Sequence, residues 1–183
     1  LGPIGQATAH AVLQKQESGD MKLVGAIDVD PDKVGRDLAD LIDNRSRATG
    51  IAVSDDSEGV LQDANPDVVL HTTTSFLDRV GDQFVECLEA GAHVVSSTEE
   101  LSFPFERHPE RAEALDQAAR EAGRVLVGTG VNPGFAMDTL PLTATGGCVD
   151  VDEVNVQRVV DGGGGGGPLQ TKVGAGTSTH ACA

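Results

Sequence analysis

The chain opens on Leu1-Gly2-Pro3-Ile4-Gly5, and the carboxylate Asp28 follows about 20 residues later at the end of an apolar run. With one more glycine ahead of Leu1, this would be the rear of a G-x-G-x-x-G turn. In such a turn Gly2 lets the backbone approach a pyrophosphate, and Gly5 lets a helix pack closely on a sheet. The helix N-terminus adds free N–H groups and a partial positive charge for phosphates. Alone, G-x-x-G fits any strand-to-helix turn. Asp28 at a strand end narrows the reading, because a carboxylate there accepts from ribose hydroxyls and repels a 2′-phosphate. That leans toward NAD, while nearby Lys33 and Arg36 keep NADP open; the bland alternative for Asp28 is a plain turn residue.

Three further clusters close apolar runs. His71-Thr72-Thr73-Thr74-Ser75 is a run of hydroxyls, Ser96-Ser97-Thr98-Glu99-Glu100 adds carboxylates, and Gly128-Thr129-Gly130-Val131-Asn132-Pro133-Gly134-Phe135 is rich in glycine. At the carboxyl ends of parallel strands such residues face a ligand crevice. Hydroxyls there can bond ribose or carboxamide groups. Equally, Ser75 reads as an N-cap and His71 as a buried, satisfied histidine.

The elements that must hold these clusters alternate between helix and strand. Helices are expected at Gln6–Ser18, Pro31–Asp43, Ser57–Asp63, Phe76–Ala90 with Gly91 as cap, and Pro109–Ala122 ending at Gly123. Strands are expected at Lys22–Val29, Ile51–Ser54, Asp67–Thr73, His93–Ser97 and Arg124–Gly128. This order predicts an α/β, Rossmann-type doubly wound parallel sheet that lacks its first strand. Beyond a boundary near Gly130 the pattern changes: Asn132–Leu142 reads as a helix, and Val151–Val160 alternates like a half-exposed antiparallel strand. The six consecutive glycines Gly162–Gly167 read as a flexible loop or as undetermined residues written as glycine. The chain starts inside a glycine turn, so it reads as a fragment of a longer enzyme.

Composition excludes several classes. A formal net charge of -16, with 13 Lys and Arg against 29 Asp and Glu, argues against nucleic acid and anionic membranes as partners. With no Trp or Tyr, the core has to come from Val, Leu, Ile and Ala, as parallel sheets require. Cys87, Cys148 and Cys182 are far apart and form no C-x-x-C pair, which argues against a zinc site or a disulfide framework. No apolar run reaches membrane-spanning length and no signal-peptide pattern is present, so the expectation is a cytoplasmic protein.

Glu99-Glu100-Leu101-Ser102-Phe103-Pro104, the stretch GTGVNPGFAMDTLPL over 128–142 and PLQTKVGAG over 168–176 together resemble the 2,4-diaminopentanoate dehydrogenase-like family, which is related to dihydrodipicolinate reductase. The resemblance covers nearly the whole chain, and GTGVNPGFAMD is its specific part. It implies an NAD(P)-binding domain over 1–130 and, over 131–183, the beginning of an α+β domain for substrate and oligomer contacts. It also implies NAD(P)-dependent oxidative deamination of a small amino acid, or the reverse reduction of a C=N bond, in a homo-oligomeric parent enzyme. Carried over by position, Gly2, Pro3, Ile4 and Gly5 bind the pyrophosphate and Asp28 the ribose. Thr72, Thr73 and Thr129 lie near the nicotinamide, and Asn132 and Gly134 near substrate. Where reductase relatives carry a basic proton donor, this chain offers Arg158 and Lys172 as its nearest cations, so these are the catalytic candidates. Three alternatives stay open: a 4-hydroxy-tetrahydrodipicolinate reductase of lysine biosynthesis, a non-catalytic dinucleotide-binding module, and an inactive fragment.

Overall fold

The computed structural model describes residues 1–42 and 48–160, together with Gly174 and Gly176. The chain divides into two compact units, Leu1–Asp138 and Thr139–Ala183. The glycine run at 162–167, Lys172 and Cys182 lie outside the described residues.

The first unit alternates helices and parallel strands. Helix α1 (Pro3–Glu17) has Pro3 in its first turn, where a missing N–H is harmless. Strands β1 (Ala26–Ile27) and β2 (Val53–Ser54) pair in parallel, followed by helix α2 (Ser57–Ala64), capped by Asp56 through Gly59 N–H. Then come β3 (Val68–His71), α3 (Gly81–Glu89), β4 (His93–Ser96), α4 (Pro109–Ala122) and β5 (Leu126–Gly128). Strands β3, β4 and β5 form a second parallel sheet with β4 in the middle. The described strands thus form one two-stranded and one three-stranded sheet, both parallel, as in doubly wound α/β folds.

Two apolar clusters hold the unit together. Leu77, Phe84, Leu88, Val94 and Leu115 pack α3 and α4 on the larger sheet, and Ala9, Ala26, Leu38, Ile42 and Val53 pack α1 and its neighbours on the smaller one. Burial pushes the Cys87 thiol up to about 11, so it is a packing residue and not a nucleophile.

Helix α4 has the bounds its sequence predicts, with Gly123 in the left-handed region at φ +62°. Phe76–Ala90 is instead a 3-10 turn (Leu77–Arg79) and then α3. The Leu77 N–H goes to the Glu100 carboxylate, and Gly81 abuts the Arg111 guanidinium of α4.

The predicted helix over Pro31–Asp43 does not form; only Leu38–Asp40 makes a 3-10 turn. The backbone here turns to the neighbouring strand. Gly35, at φ +82°, donates its N–H to Val53 O, and Arg36 O accepts from Val53 N–H. Asp37 then bridges to Ala52, and its carboxylate accepts from Ala39 N–H, from Thr49 N–H and hydroxyl, and from Gly50 N–H. The helical spacing of Leu38 and Ile42 serves core packing all the same, since both are buried.

In the junction and second unit, the helix expected from Asn132 begins at Phe135 as π-type turns to Thr139 and continues as α5 (Leu140–Ala144). The strand expected over Val151–Val160 does not form: the segment has no ladder partner among the described residues, and Val159 is 85% exposed. Alternation marks a surface fit for pairing but cannot supply the pairing edge. No helix among the described residues is long and apolar enough to cross a membrane.

Hydrogen bonds from Thr49, Ala39 and Gly50 hold the Asp37 carboxyl low, at about 2. A depressed carboxyl stabilises the fold above its unfolded value and loses that contribution as pH falls through its folded value. Asp37→Ala is therefore expected to lower the urea midpoint near neutrality. The gap between variant and wild type should close as pH falls from about 4 to about 2. A gap constant with pH would show that the carboxylate does not clamp this segment.

Candidate functional site

The strand ends of the first unit converge on one edge. There the Gly2 N-cap of α1 has extended backbone (ψ -172°) and no side-chain cap, leaving the Ile4 and Gly5 N–H groups at an uncapped helix start. Nothing lies within 4 Å of where a Gly2 side chain would begin, so the turn opens on free space. Gly5 is the opposite case, because a Cβ there would stand 2.8 Å from the Thr72 hydroxyl. The glycine turn thus packs directly against the end of β3.

Asp28 follows β1. Its carboxylate accepts from the Leu1 amino group at 2.6 Å, from Asp30 N–H at 2.9 Å and from Lys33 Nζ at 3.0 Å. Burial opposes ionisation of this carboxyl, while the hydrogen bonds from the Asp30 amide and Lys33 favour it. Lys33 also meets Asp30 at 3.0 Å, and the two carboxylates, Asp30 first, raise its pKa. Arg36 is exposed and, among the described residues, reaches the backbone carbonyls of Asp32 and Asp40. The glycine turn and the acid are therefore adjacent, with Leu1 and Lys33 on the same carboxylate oxygen.

Beyond β3, Thr72 is half-buried and Thr73 exposed. Behind them His71 is 7% exposed, with Nδ1 3.1 Å from Ser96 Oγ and Nε2 2.8 Å from Gln83 and 3.2 Å from Thr73 Oγ1. Desolvation drives this imidazole toward its neutral form. Thr98 ties the loops together by donating its hydroxyl to Thr74 O at 2.8 Å.

At the end of β4, Glu99 and Glu100 begin a 3-10 turn to Leu101. Glu100 is committed to structure: it accepts from Leu77 N–H and is paired with His108 and Arg107. Glu99 meets Ser75 Oγ at 3.3 Å and lines a cleft of ≈ 360 Å³ with Ser102, Phe103, Arg107 and Pro133. A larger cleft of ≈ 660 Å³ lies between α2 and α3, but Glu58, Asp82, Glu86 and Glu89 line it, a poor setting for phosphates.

Past β5, Thr129 is exposed and its N–H goes to Ser96 O at 2.8 Å, which fixes this turn to the neighbouring strand. Asn132 is exposed, and Gly134 sits at φ +128° with its N–H on Asp138. A Cβ at Gly134 would stand 2.6 Å from the Gly130 backbone.

The structure therefore gathers Gly2, Pro3, Ile4, Gly5, Asp28, Thr72 and Thr73 around strand ends, and holds Thr129 against the end of β4. Arg158 is exposed in the second unit, with no ion pair among the described residues, and Lys172 lies outside them. Sequence reasoning passed over the roles of Glu99, Glu100 and the His71 chain. The carboxylates directly after a strand at the crevice edge were the available sign for the first two. No group of three or more His, Cys, Asp or Glu able to hold a metal occurs among the described residues.

No family model matches the chain. It is 32% identical over 159 residues to a 2,4-diaminopentanoate dehydrogenase of Acetoanaerobium sticklandii, covering 87% of this chain and 44% of that protein. It is 30% identical over 166 residues to an amine dehydrogenase of Streptomyces virginiae, with 87% and 44% covered. Among solved structures, the amine dehydrogenase from Mycobacterium smegmatis matches with a TM-score of 0.67 and 35% identity, over 77% of this chain and 41% of that one. The chain spans less than half the length of these relatives. It is homologous to them along most of its own length and shares their α/β fold.

A Cβ at Gly128 would stand 2.7 Å from the Leu101 carbonyl carbon, a backbone atom that cannot swing aside. Gly128→Ala is expected to destabilise the chain by about 1–3 kcal/mol in urea denaturation. Gly146→Ala, where nothing lies within 4 Å, should stay within about 0.5 kcal/mol. Equal stability of the two variants would refute the close approach of β5 to the turn after β4.

Proposed function

We propose, from the premise that the chain belongs with the 2,4-diaminopentanoate dehydrogenases and amine dehydrogenases, that it forms the cofactor-binding part of an NAD(P)-dependent oxidoreductase acting on a CH–NH2 or C=N group of a small amino acid. The observation that carries this reading is the open, uncapped glycine turn at the start of α1, packed against the end of β3, together with Asp28 directly after β1. A phosphate cradle and a ribose acceptor stand side by side, which is the arrangement a dinucleotide needs.

The residues present fit such a cofactor. Ile4 and Gly5 N–H groups receive the pyrophosphate, with Gly2 and Pro3 shaping the approach, and Asp28 receives the adenosine ribose. Thr72, Thr73 and Thr129 border the nicotinamide end, and Asn132 and Gly134 the substrate. When bound, the nicotinamide supplies hydride acceptance and donation; the chain orients the partners and excludes water. Residues 1–130 form the cofactor domain in this reading, and 131–183 begin the substrate and oligomer-forming domain. The cytoplasm is the proposed location.

Oxidation at a carbon bearing nitrogen also needs a group to move a proton on or off that nitrogen. Arg158 suits a substrate carboxylate, and Lys172 is the candidate proton carrier. Glu99 is the competing carrier, because it lines the cleft at the end of β4.

Titration of the chain with NADH and NADPH, followed by nicotinamide fluorescence, tests the cofactor reading. Saturable binding with NADH preferred is expected. Asp28→Ser, which removes the ribose acceptor and one of the two carboxylates that hold Lys33, should shift the preference toward NADPH by about tenfold or more. A folded chain that binds neither dinucleotide would overturn the reading.

The proton carrier is separable by turnover on diamino acids. Loss of that group should cut turnover by about 10²–10⁴-fold with NADH affinity unchanged. Lys172→Ala and Glu99→Gln are the two variants to compare, and whichever leaves turnover intact is removed from the mechanism.

A further inference from the structure

Successive residues of a strand point to opposite faces of its sheet, and the two faces of β3, β4 and β5 end differently at their carboxyl edge. On the face covered by α3 and α4 stand His71, Ser96 and Gly128. His71 packs edge-on against Phe84 of α3 and meets Ser96 Oγ, and a Cβ at Gly128 would run into the Leu101 and Ser102 backbone. One residue further along, each strand carries a hydroxyl: Thr72, Ser97 and Thr129. The ladder continues to that height, because Ser97 N–H goes to His71 O and Thr129 N–H to Ser96 O. The three hydroxyls therefore share the opposite face. Thr72 shows this independently, since its hydroxyl stands at the Cβ place of Gly5 and so faces the start of α1.

Neighbouring strands lie about 4.8 Å apart, so the row leads roughly 10 Å away from the glycine turn. Below it Leu70, Val95 and Val127 align in register as an apolar step, with Leu70 and Val127 each 41% exposed. The hydroxyls of the two faces also differ in bonding. Ser96 and Thr98 are buried and spend their hydrogen bonds on the frame, Ser96 with His71 and Thr98, and Thr98 with Thr74 O. Thr72, Ser97 and Thr129 make no side-chain hydrogen bond among the described residues. Their oxygens are not enclosed, because Ser102 Oγ is the buried unpartnered side-chain atom among those residues. Of the run from Ser96 to Thr98, Ser97 is the one whose hydroxyl can turn to a ligand without giving up a bond in the frame.

We propose that Ser97 is a cofactor-binding residue, the middle member of a row with Thr72 and Thr129 that receives the nicotinamide riboside half of the dinucleotide. This rests on the cofactor reading above, which puts the pyrophosphate at the Ile4 and Gly5 N–H groups, beside Thr72. The next groups outward along the dinucleotide are a ribose with two hydroxyls and a flat ring with a carboxamide. A serine hydroxyl both donates and accepts, so it serves either polar group, and the apolar step suits the ring.

Isothermal titration of the chain with NADH and with ADP, which has the adenosine and diphosphate but no nicotinamide half, tests the assignment. Ser97→Ala is expected to weaken NADH by roughly fivefold, the loss of one hydrogen bond, while ADP stays within about twofold and the unfolding temperature is that of wild type. NADH affinity unchanged in Ser97→Ala overturns the inference and leaves the cofactor reading standing. An equal loss for NADH and ADP also overturns it, because the effect would then lie at the glycine turn. A folded wild type that binds neither ligand overturns the cofactor reading, and this inference with it.

Discussion

Parallel strands that end at one edge leave their last amides and carbonyls together at that edge, and every loop leaving it has to satisfy them. Here the solution is shared among neighbours. Ser97 N–H goes to His71 O, Thr129 N–H to Ser96 O and the Thr98 hydroxyl to Thr74 O. Each bond joins the exit of one strand to the exit of the next, so β3, β4 and β5 cannot release their loops independently. The hydroxyl run after β3 and the glycines after β5 are consequences of that edge. Small polar side chains complete the bonding, and glycine lets the turns approach each other.

Close approach explains which glycines the edge requires. Gly5 faces the Thr72 hydroxyl, Gly128 faces the Leu101 backbone, and Gly134 faces Gly130 with a backbone angle that other residues rarely adopt. Gly2 is different, because no protein atom crowds it. The sterics of the four glycines therefore separate those that build the frame from the one that faces the open turn.

Much of the frame is legible in the residues. Pro109 and Gly123 mark both ends of α4, since one tolerates the first helical turn and the other the left-handed cap. The Val-rich runs give β3 and β4. The stretch from Pro31 misleads because Leu38 and Ile42 have helical spacing, while Gly35 and Asp37 redirect the backbone to β2; apolar spacing reports which side chains are buried, not where the amides bond. The segment 151–160 misleads for a related reason, because a strand needs an edge that no local pattern contains. At the site, the glycine turn and Asp28 stand where their spacing suggests. The His71 chain was not legible, because it depends on side chains 25 positions apart meeting in space.

A net charge of -16 looks hostile to a ligand with two phosphates, yet the site needs no lysine or arginine on the phosphates themselves. At physiological ionic strength, charges beyond about 8 Å are largely screened, so the local groups decide. Close by, the Asp28 charge is offset by Lys33. The start of α1 contributes N–H groups and half a positive charge without any acidic residue in its first turn. Acidic residues also line the α2–α3 cleft, a poor setting for anions. An acidic surface and the proposed anion-binding turn are thus compatible, because such a turn works through backbone geometry that the sequence's charge does not count.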